Sequence, residues 1–122
     1  MQITWRASAF LLAILASTAG SFPVRRSTTG TATFYNPEGN LGACGNPIQD
    51  TDLAVALSSD TFAGGAHCGG SVSVQYNGVS LVATVVDLCP GCTPGGLDLT
   101  AGMFAQLADP DLGHIQVDWD FL

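Results

Sequence analysis

The chain has 122 residues, 47% of them hydrophobic and 11% charged, which allows one compact domain and excludes intrinsic disorder. Three Lys and Arg against ten Asp and Glu give a formal net charge of −7. Nucleic acid and anionic membrane each require a basic face, so both are excluded as partners.

The N-terminus reads as a secretory signal peptide over residues 1–19. Arg6 supplies the positive start, residues 7–16 the apolar run, and Ser17, Thr18 and Ala19 the small-residue cleavage site. The run is shorter than the roughly 20 residues of a membrane span. Residues 20–28 follow as a linker, in which Arg25-Arg26 reads either as a second processing site or as two solvated arginines. Beyond Arg26 the sequence holds no Lys or Arg. A chain cut there must draw its stability from packing, backbone hydrogen bonds and cross-links.

Residues 31–35 follow Gly30 and read as a first strand, and 36–47 as a Gly/Asn/Pro loop. Leu53, Val55 and Leu57 alternate with Ala54 and Ala56, which predicts a strand buried on both faces. Ser58-Ser59-Asp60 predicts a capped helical turn through Phe62, ended by Gly64-Gly65. Val72, Val74 and Tyr76 alternate with Ser71, Ser73 and Gln75 in a half-buried strand, and Asn77-Gly78 predicts a hairpin turn. Residues 81–86 are apolar on both faces and are expected to be central. Thr100 caps a helix in which Met103, Phe104, Leu107 and Ala108 recur at helical spacing, and Asp109-Pro110 stops it. Ile115, Val117, Trp119 and Phe121 alternate with Gln116, Asp118 and Asp120 in a closing strand. The pattern is mostly β, with about six strands. Small antiparallel sheets avoid exposed edges by closing, so a barrel is expected.

Four cysteines in a short secreted chain read as two disulfides, with three possible pairings. Zinc is the competing reading, from Cys89-Pro90-Gly91-Cys92 with His67-Cys68 upstream. A four-ligand zinc site usually has two such knuckles, and one stands here. A redox Cys-x-x-Cys opens a helix after a strand, whereas Pro90-Gly91 and Pro94-Gly95-Gly96 mark turns. Most of the acids fall on turns or polar faces. Asp87, at the end of an apolar strand, and Asp98, between Leu97 and Leu99, do not. A carboxyl among bulky apolar residues is desolvated, which raises its pKa and suits a general acid. The alternative for each is a carboxylate held by turn amides.

Four segments come in the order and spacing of a known family: Gly30-Thr31-Ala32-Thr33-Phe34-Tyr35, Gly42-Ala43-Cys44-Gly45, Val86-Asp87-Leu88-Cys89-Pro90-Gly91-Cys92 and Leu97-Asp98-Leu99-Thr100. With Gly113-His114-Ile115-Gln116-Val117-Asp118-Trp119 they make the chain resemble the expansin-like double-psi β-barrels, also termed RlpA-like. Among these it looks most like loosenins, the single-domain expansin-related proteins secreted by fungi. It is also similar to barwin, the plant natriuretic-peptide-like proteins and a protease-inhibitor branch. The resemblance implies a six-stranded double-psi β-barrel over residues 29–122 with one or two short helices. It also implies the pairings Cys44–Cys68 and Cys89–Cys92.

The resemblance assigns roles as well. Asp98 matches the acid required for wall loosening, which is the general acid of the related family-45 endoglucanases. Asp87 and Thr33 match a second acid and a threonine lining the same groove, and Tyr35 matches its aromatic. Two residues after that aromatic the hydrolases carry a catalytic base, needed to activate water; here the residue is Pro37, with Glu38 beside it. The aromatic-bearing second domain of expansins has no counterpart in this sequence, so the barrel groove is expected to bind the glycan. Phe34 and Tyr35 are its candidate stacking residues, while Trp119 and Tyr76 are expected in the core. The implied protein is a secreted, extracellular monomer without metal or cofactor, which binds and loosens cellulose, chitin or another wall glycan without hydrolysis. Two alternatives accompany it. One is a barwin-like binding module or cysteine-protease inhibitor, with a protease as partner. The other is a lytic transglycosylase, which needs only one acid.

Overall fold

Alternating apolar residues build six strands: β1 (Thr28–Tyr35), β2 (Ala54–Ser58), β3 (Ser71–Tyr76), β4 (Val79–Cys89), β5 (Leu97–Thr100) and β6 (Ile115–Phe121). Two short helices, α1 (Ser59–Phe62) and α2 (Ala101–Leu107), follow β2 and β5. The computed structural model describes residues 27–122; the signal peptide and Arg25-Arg26 lie outside the described residues.

The strands close in the order β1-β5-β2-β4-β3-β6. Two of the six pairings, β1 with β5 and β2 with β4, are parallel, and the other four are antiparallel. Closure leaves no free strand edge, as the sequence pattern requires. Ala32, Val55, Leu57, Val72, Val74, Val85, Leu97, Leu99, Val117 and Trp119 fill the interior. Met103, Phe104 and Leu107 of α2 pack against the same core, and Tyr76 is partly buried against it. The indole of Trp119 donates from Nε1 to the Gly95 carbonyl at 2.9 Å, which satisfies its one polar atom. The hairpin turn has φ of 51° at Asn77 and 84° at Gly78, the left-handed pair that a tight two-residue connection needs.

The structure corrects three details. Residues 81–86 belong to an eleven-residue strand that is buried on one face only: Ala83 and Val85 point inward while Val82 is 53% exposed. Its apolar outer residues suggested two-sided burial, but β4 is central through its pairing, first with β3 and then with β2. Ser58 precedes α1 without a side-chain cap. Its hydroxyl instead donates to the Asp60 carboxylate and accepts the Gly95 N–H at 3.2 Å, pinning the turn before β5. Asp109 does more than end α2. Its carboxylate accepts Asp111 N–H at 2.9 Å and starts a 3-10 turn over Pro110–Leu112. Thr100 caps α2 as expected, accepting from Met103 N–H.

Both disulfides are formed in the pairing that the resemblance implies, with Cα separations of 5.5 Å for Cys44–Cys68 and 5.4 Å for Cys89–Cys92. No cysteine sulfur is left to bind zinc. Gly30 marks the tightest backbone approach. A Cβ there would sit 2.1 Å from the Gly95 carbonyl oxygen, the acceptor of the Trp119 indole. Gly30→Ala must therefore push β1 away from this turn. We expect a loss of about 1–3 kcal/mol, typical of overpacking, in a urea or thermal melt. An unchanged midpoint would show that the approach is not required.

Candidate functional site

The registers of β1, β5, β2 and β4 align four residues in one cross-strand row. Thr33 pairs with Asp98, Asp98 with Ala56, and Ala56 with Asp87. Leu97 and Leu99 on either side of Asp98 are fully buried, so Asp98 takes the outer face of its strand. Thr33 and Tyr35 occupy the same outer face of β1. The two acids flank Ala56, placing their backbones about 9.6 Å apart, two strand spacings.

Asp87 reaches this row through a bulge. Val55 pairs with Val85, but the next residue, Ala56, pairs with Asp87, so Val86 is the extra residue. Without the bulge, Asp87 would share the inward parity of Ala83 and Val85. One inserted residue turns it onto the outer face beside Asp98, a common use of bulges near functional sites.

The hydrogen bonds divide the two acids by role. Asp87 accepts three hydrogen bonds. Its Oδ1 accepts Ala43 N–H at 2.7 Å and Leu88 N–H at 2.9 Å, and its Oδ2 accepts the Tyr35 hydroxyl at 3.0 Å. Among the described residues Asp98 receives only the Thr33 hydroxyl, on Oδ1 at 2.9 Å. Burial raises the Asp98 pKa above the ordinary carboxyl value; the Thr33 bond opposes this and the Asp87 charge adds to it. Tyr35 is raised as well, by burial first and then by Asp87, so its phenol remains a proton-bearing donor.

The residues singled out from the sequence thus fall into two groups. Thr33, Tyr35, Asp87 and Asp98 come together. Phe34 does not: it lies on the opposite face of β1, its ring 4.7 Å from that of Phe104 and packed on the core, because side chains alternate along a strand. Trp119 is 1% exposed and belongs to the core. At the position of the hydrolase base, Pro37 is buried and its carbonyl accepts Asn40 N–H at 2.9 Å. Glu38 is exposed, with a left-handed φ of 53° and its N–H bound to Asp50.

For Asp87 the structure shows the alternative reading of the sequence, a carboxylate held by backbone amides, here those of Ala43 and Leu88. The signal was present in Gly42-Ala43-Cys44-Gly45. A Cβ at Gly42 would lie 2.4 Å from the Val86 carbonyl oxygen and 2.6 Å from Ile48 Cδ1. Only glycine lets this loop approach β4 closely enough for Ala43 to reach Asp87. Beside Thr33, a cavity of about 240 Å³ opens against the Cys89–Cys92 turn.

No family model matches the chain. It is 31% identical over 106 residues to an EG45-like domain containing protein of Citrus jambhiri, covering 77% of this chain and 81% of that one. It is 33% identical over 112 residues to a papain inhibitor of Streptomyces mobaraensis, covering 85% and 78%. The solved Streptomyces papain inhibitor superimposes with a TM-score of 0.70 over 84% of this chain and 99% of that one. A mutant Clavibacter michiganensis expansin, solved in complex with cellohexaose, gives a TM-score of 0.73 at 29% identity, over 79% of this chain and 50% of that one. An allergen of Aspergillus fumigatus is 35% identical over 92 residues, but the chain spans only 33% of that protein's length.

Proposed function

Since this chain belongs to the family of expansin-like double-psi β-barrels that includes the EG45-like proteins and the Streptomyces papain inhibitor, we propose that it is a secreted, non-hydrolytic protein that binds and loosens cell-wall polysaccharide. The observation that carries this reading is the unequal treatment of two aligned acids. Asp98 is desolvated and singly bonded, and Asp87 is bonded to three donors. A half-buried carboxyl with a raised pKa keeps its proton to higher pH than an ordinary aspartate. It donates that proton, or a hydrogen bond, to a glycosidic oxygen or hydroxyl of the bound chain. Thr33 fixes its orientation. Asp87, held in place by three donors, serves as a fixed negative charge that holds the proton on Asp98.

Hydrolysis with inversion requires a second carboxylate free to activate water. Asp87 is tied down by three donors and the base position is Pro37, so on this reading the site supplies an acid without a free base. Its work is the exchange of hydrogen bonds between glycan chains rather than addition of water to one of them.

A second reading rests on the papain inhibitor, of which this chain covers 78% by sequence. On that reading, loops at the barrel rim contact a protease. Three measurements on the secreted protein separate the readings: polysaccharide pull-down, a reducing-end assay and titration against papain. The expected result is binding to insoluble glycan with no soluble sugar released. Sugar release would establish a hydrolase or transglycosylase. Papain inhibition without glycan binding would establish the inhibitor.

A further inference from the structure

The chain has four asparagines, and the residue after each one separates them. Asn36 and Asn46 precede Pro37 and Pro47, which have no backbone N–H. Asn40 precedes the bulky Leu41. Asn77 precedes Gly78 at the tip of the hairpin that joins β3 to β4, and both residues are exposed. Among the described residues no hydrogen bond holds the Asn77 side-chain amide or the Gly78 N–H. A Cβ on Gly78 would meet nothing within 4 Å. The amide carbon of Asn77 and the nitrogen of Gly78 are therefore both open to reaction.

Joining these two atoms requires one backbone torsion. A flat five-membered ring eclipses the Asn77 Cβ with the Gly78 nitrogen, which for an L residue puts ψ at about −120°, the value at the first central position of a type II′ turn. Positive φ at both residues, 51° and 84°, defines the type I′ turn seen here. Turning over the single peptide group between Asn77 and Gly78 converts type I′ to type II′. Both types close two-residue hairpins, so the strand register survives the flip. Glycine accepts either sign of φ. The hairpin thus reaches the reactive torsion without unfolding.

We propose that Asn77 is a site of spontaneous deamidation, by which the protein acquires a carboxylate and an altered hairpin as it ages. The Gly78 nitrogen attacks the Asn77 amide carbon. The new N–C bond forms, the bond to Nδ2 breaks, and Nδ2 leaves as ammonia with the proton of the Gly78 N–H. Water then opens the succinimide. Addition at the side-chain carbonyl gives aspartate, and addition at the backbone carbonyl gives isoaspartate, whose chain continues through Cβ and Cγ. Isoaspartate adds one atom to a connection whose two-residue length pairs Tyr76 with Val79, Gln75 with Ser80 and Val74 with Leu81. The new carboxylate also joins Asp118 in the lining of a cavity of about 220 Å³, and no Lys or Arg stands among residues 27–122 to neutralise either. Val79 and Asp87 are separated along β4 by roughly 26 Å, so the change falls on stability and not on the acid row.

The test is intact-mass measurement of the whole protein during incubation in mildly alkaline buffer at physiological temperature, beside the same protein unfolded in urea. Base removes the proton of the attacking nitrogen, so conversion should accelerate as pH rises. The expected result is a gain of one dalton, localised to Asn77 by fragmentation and labelled in part by isoaspartyl methyltransferase. The flipped turn is a minor conformer of about 1–10%, so the native protein should convert about ten- to a hundredfold more slowly than the unfolded chain. Asn77→Gly keeps two residues that accept positive φ and should not gain the dalton. The isoaspartate form should melt about 4–8 °C below the unaged protein, whereas Asn77→Asp, which carries the charge without the extra atom, should melt within about 2 °C of it. Native conversion more than about a thousandfold slower than in urea would show a turn locked against the flip and overturn the proposal. A one-dalton gain that persists in Asn77→Gly would overturn the assignment to Asn77. Unchanged melting of the isoaspartate form would overturn the altered hairpin.

Discussion

Asp98→Asn is expected to abolish loosening of chitin or filter paper, with a loss of about 10²–10⁴-fold in rate, typical of removing a positioned acid. Asparagine keeps the carbonyl oxygen that accepts from Thr33 but has no acidic proton to give. The fold should persist, because Asp98 accepts one hydrogen bond and buries no partner of its own. The pH dependence provides an internal check. Burial raises the Asp98 pKa, so the protonated form, and with it the activity, is present at acidic pH and declines as pH rises through that raised value. Stability follows the same sign. The folded state binds this proton more tightly than the unfolded chain, so the contribution is complete below the ordinary aspartate range and is lost as pH rises through the folded pKa. Asp98→Asn should remove both dependences. Asp87→Asn removes a like charge, so the activity falloff should move to lower pH rather than vanish. Restoring a base through Pro37→Asp is unattractive, since Pro37 is buried and an unpaired carboxylate there is destabilising. Wild-type loosening by a folded, glycan-binding Asp98→Asn protein would end the acid mechanism.

The second large effect concerns Cys44–Cys68. This bridge joins residues 24 apart in sequence. In the chain-entropy model, closing such a loop stabilises the fold by about 3 kcal/mol. Cys44→Ser with Cys68→Ser should therefore lower the melting temperature by roughly 10–20 °C for a domain of this size. Added salt should do little by comparison. No Lys or Arg stands among residues 27–122, so there are no Lys or Arg ion pairs to screen, and about 0.5 M salt mainly relieves repulsion among acids. The bridge also anchors the loop whose Ala43 amide holds Asp87, so the double variant should weaken loosening even well below its melting point. A melting temperature within about 2 °C of wild type would refute the cross-link's role.

The sequence by itself determined much of this protein. Alternation and β-propensity predict five of the six strands; β5, only four residues long, is too short to show a period and is defined by its pairing with β1 and β2. Thr100 and Asp109 marked the ends of α2 because helix termini need side-chain or turn partners. Asp98 stood out because it lies between Leu97 and Leu99, and a carboxyl among bulky apolar side chains is desolvated. Tertiary structure decided three things that local pattern cannot carry. The bulge at Val86 reverses the parity of β4 and brings Asp87 beside Asp98; it exists only in the pairing with β2, and no residue within β4 announces it. The occupancy of Asp87 depends on Ala43 and Tyr35, which are 44 and 52 residues away in sequence. The separation of Phe34 from Tyr35 follows from which face of β1 the barrel turns inward, a choice fixed by closure and not by the aromatic pair itself.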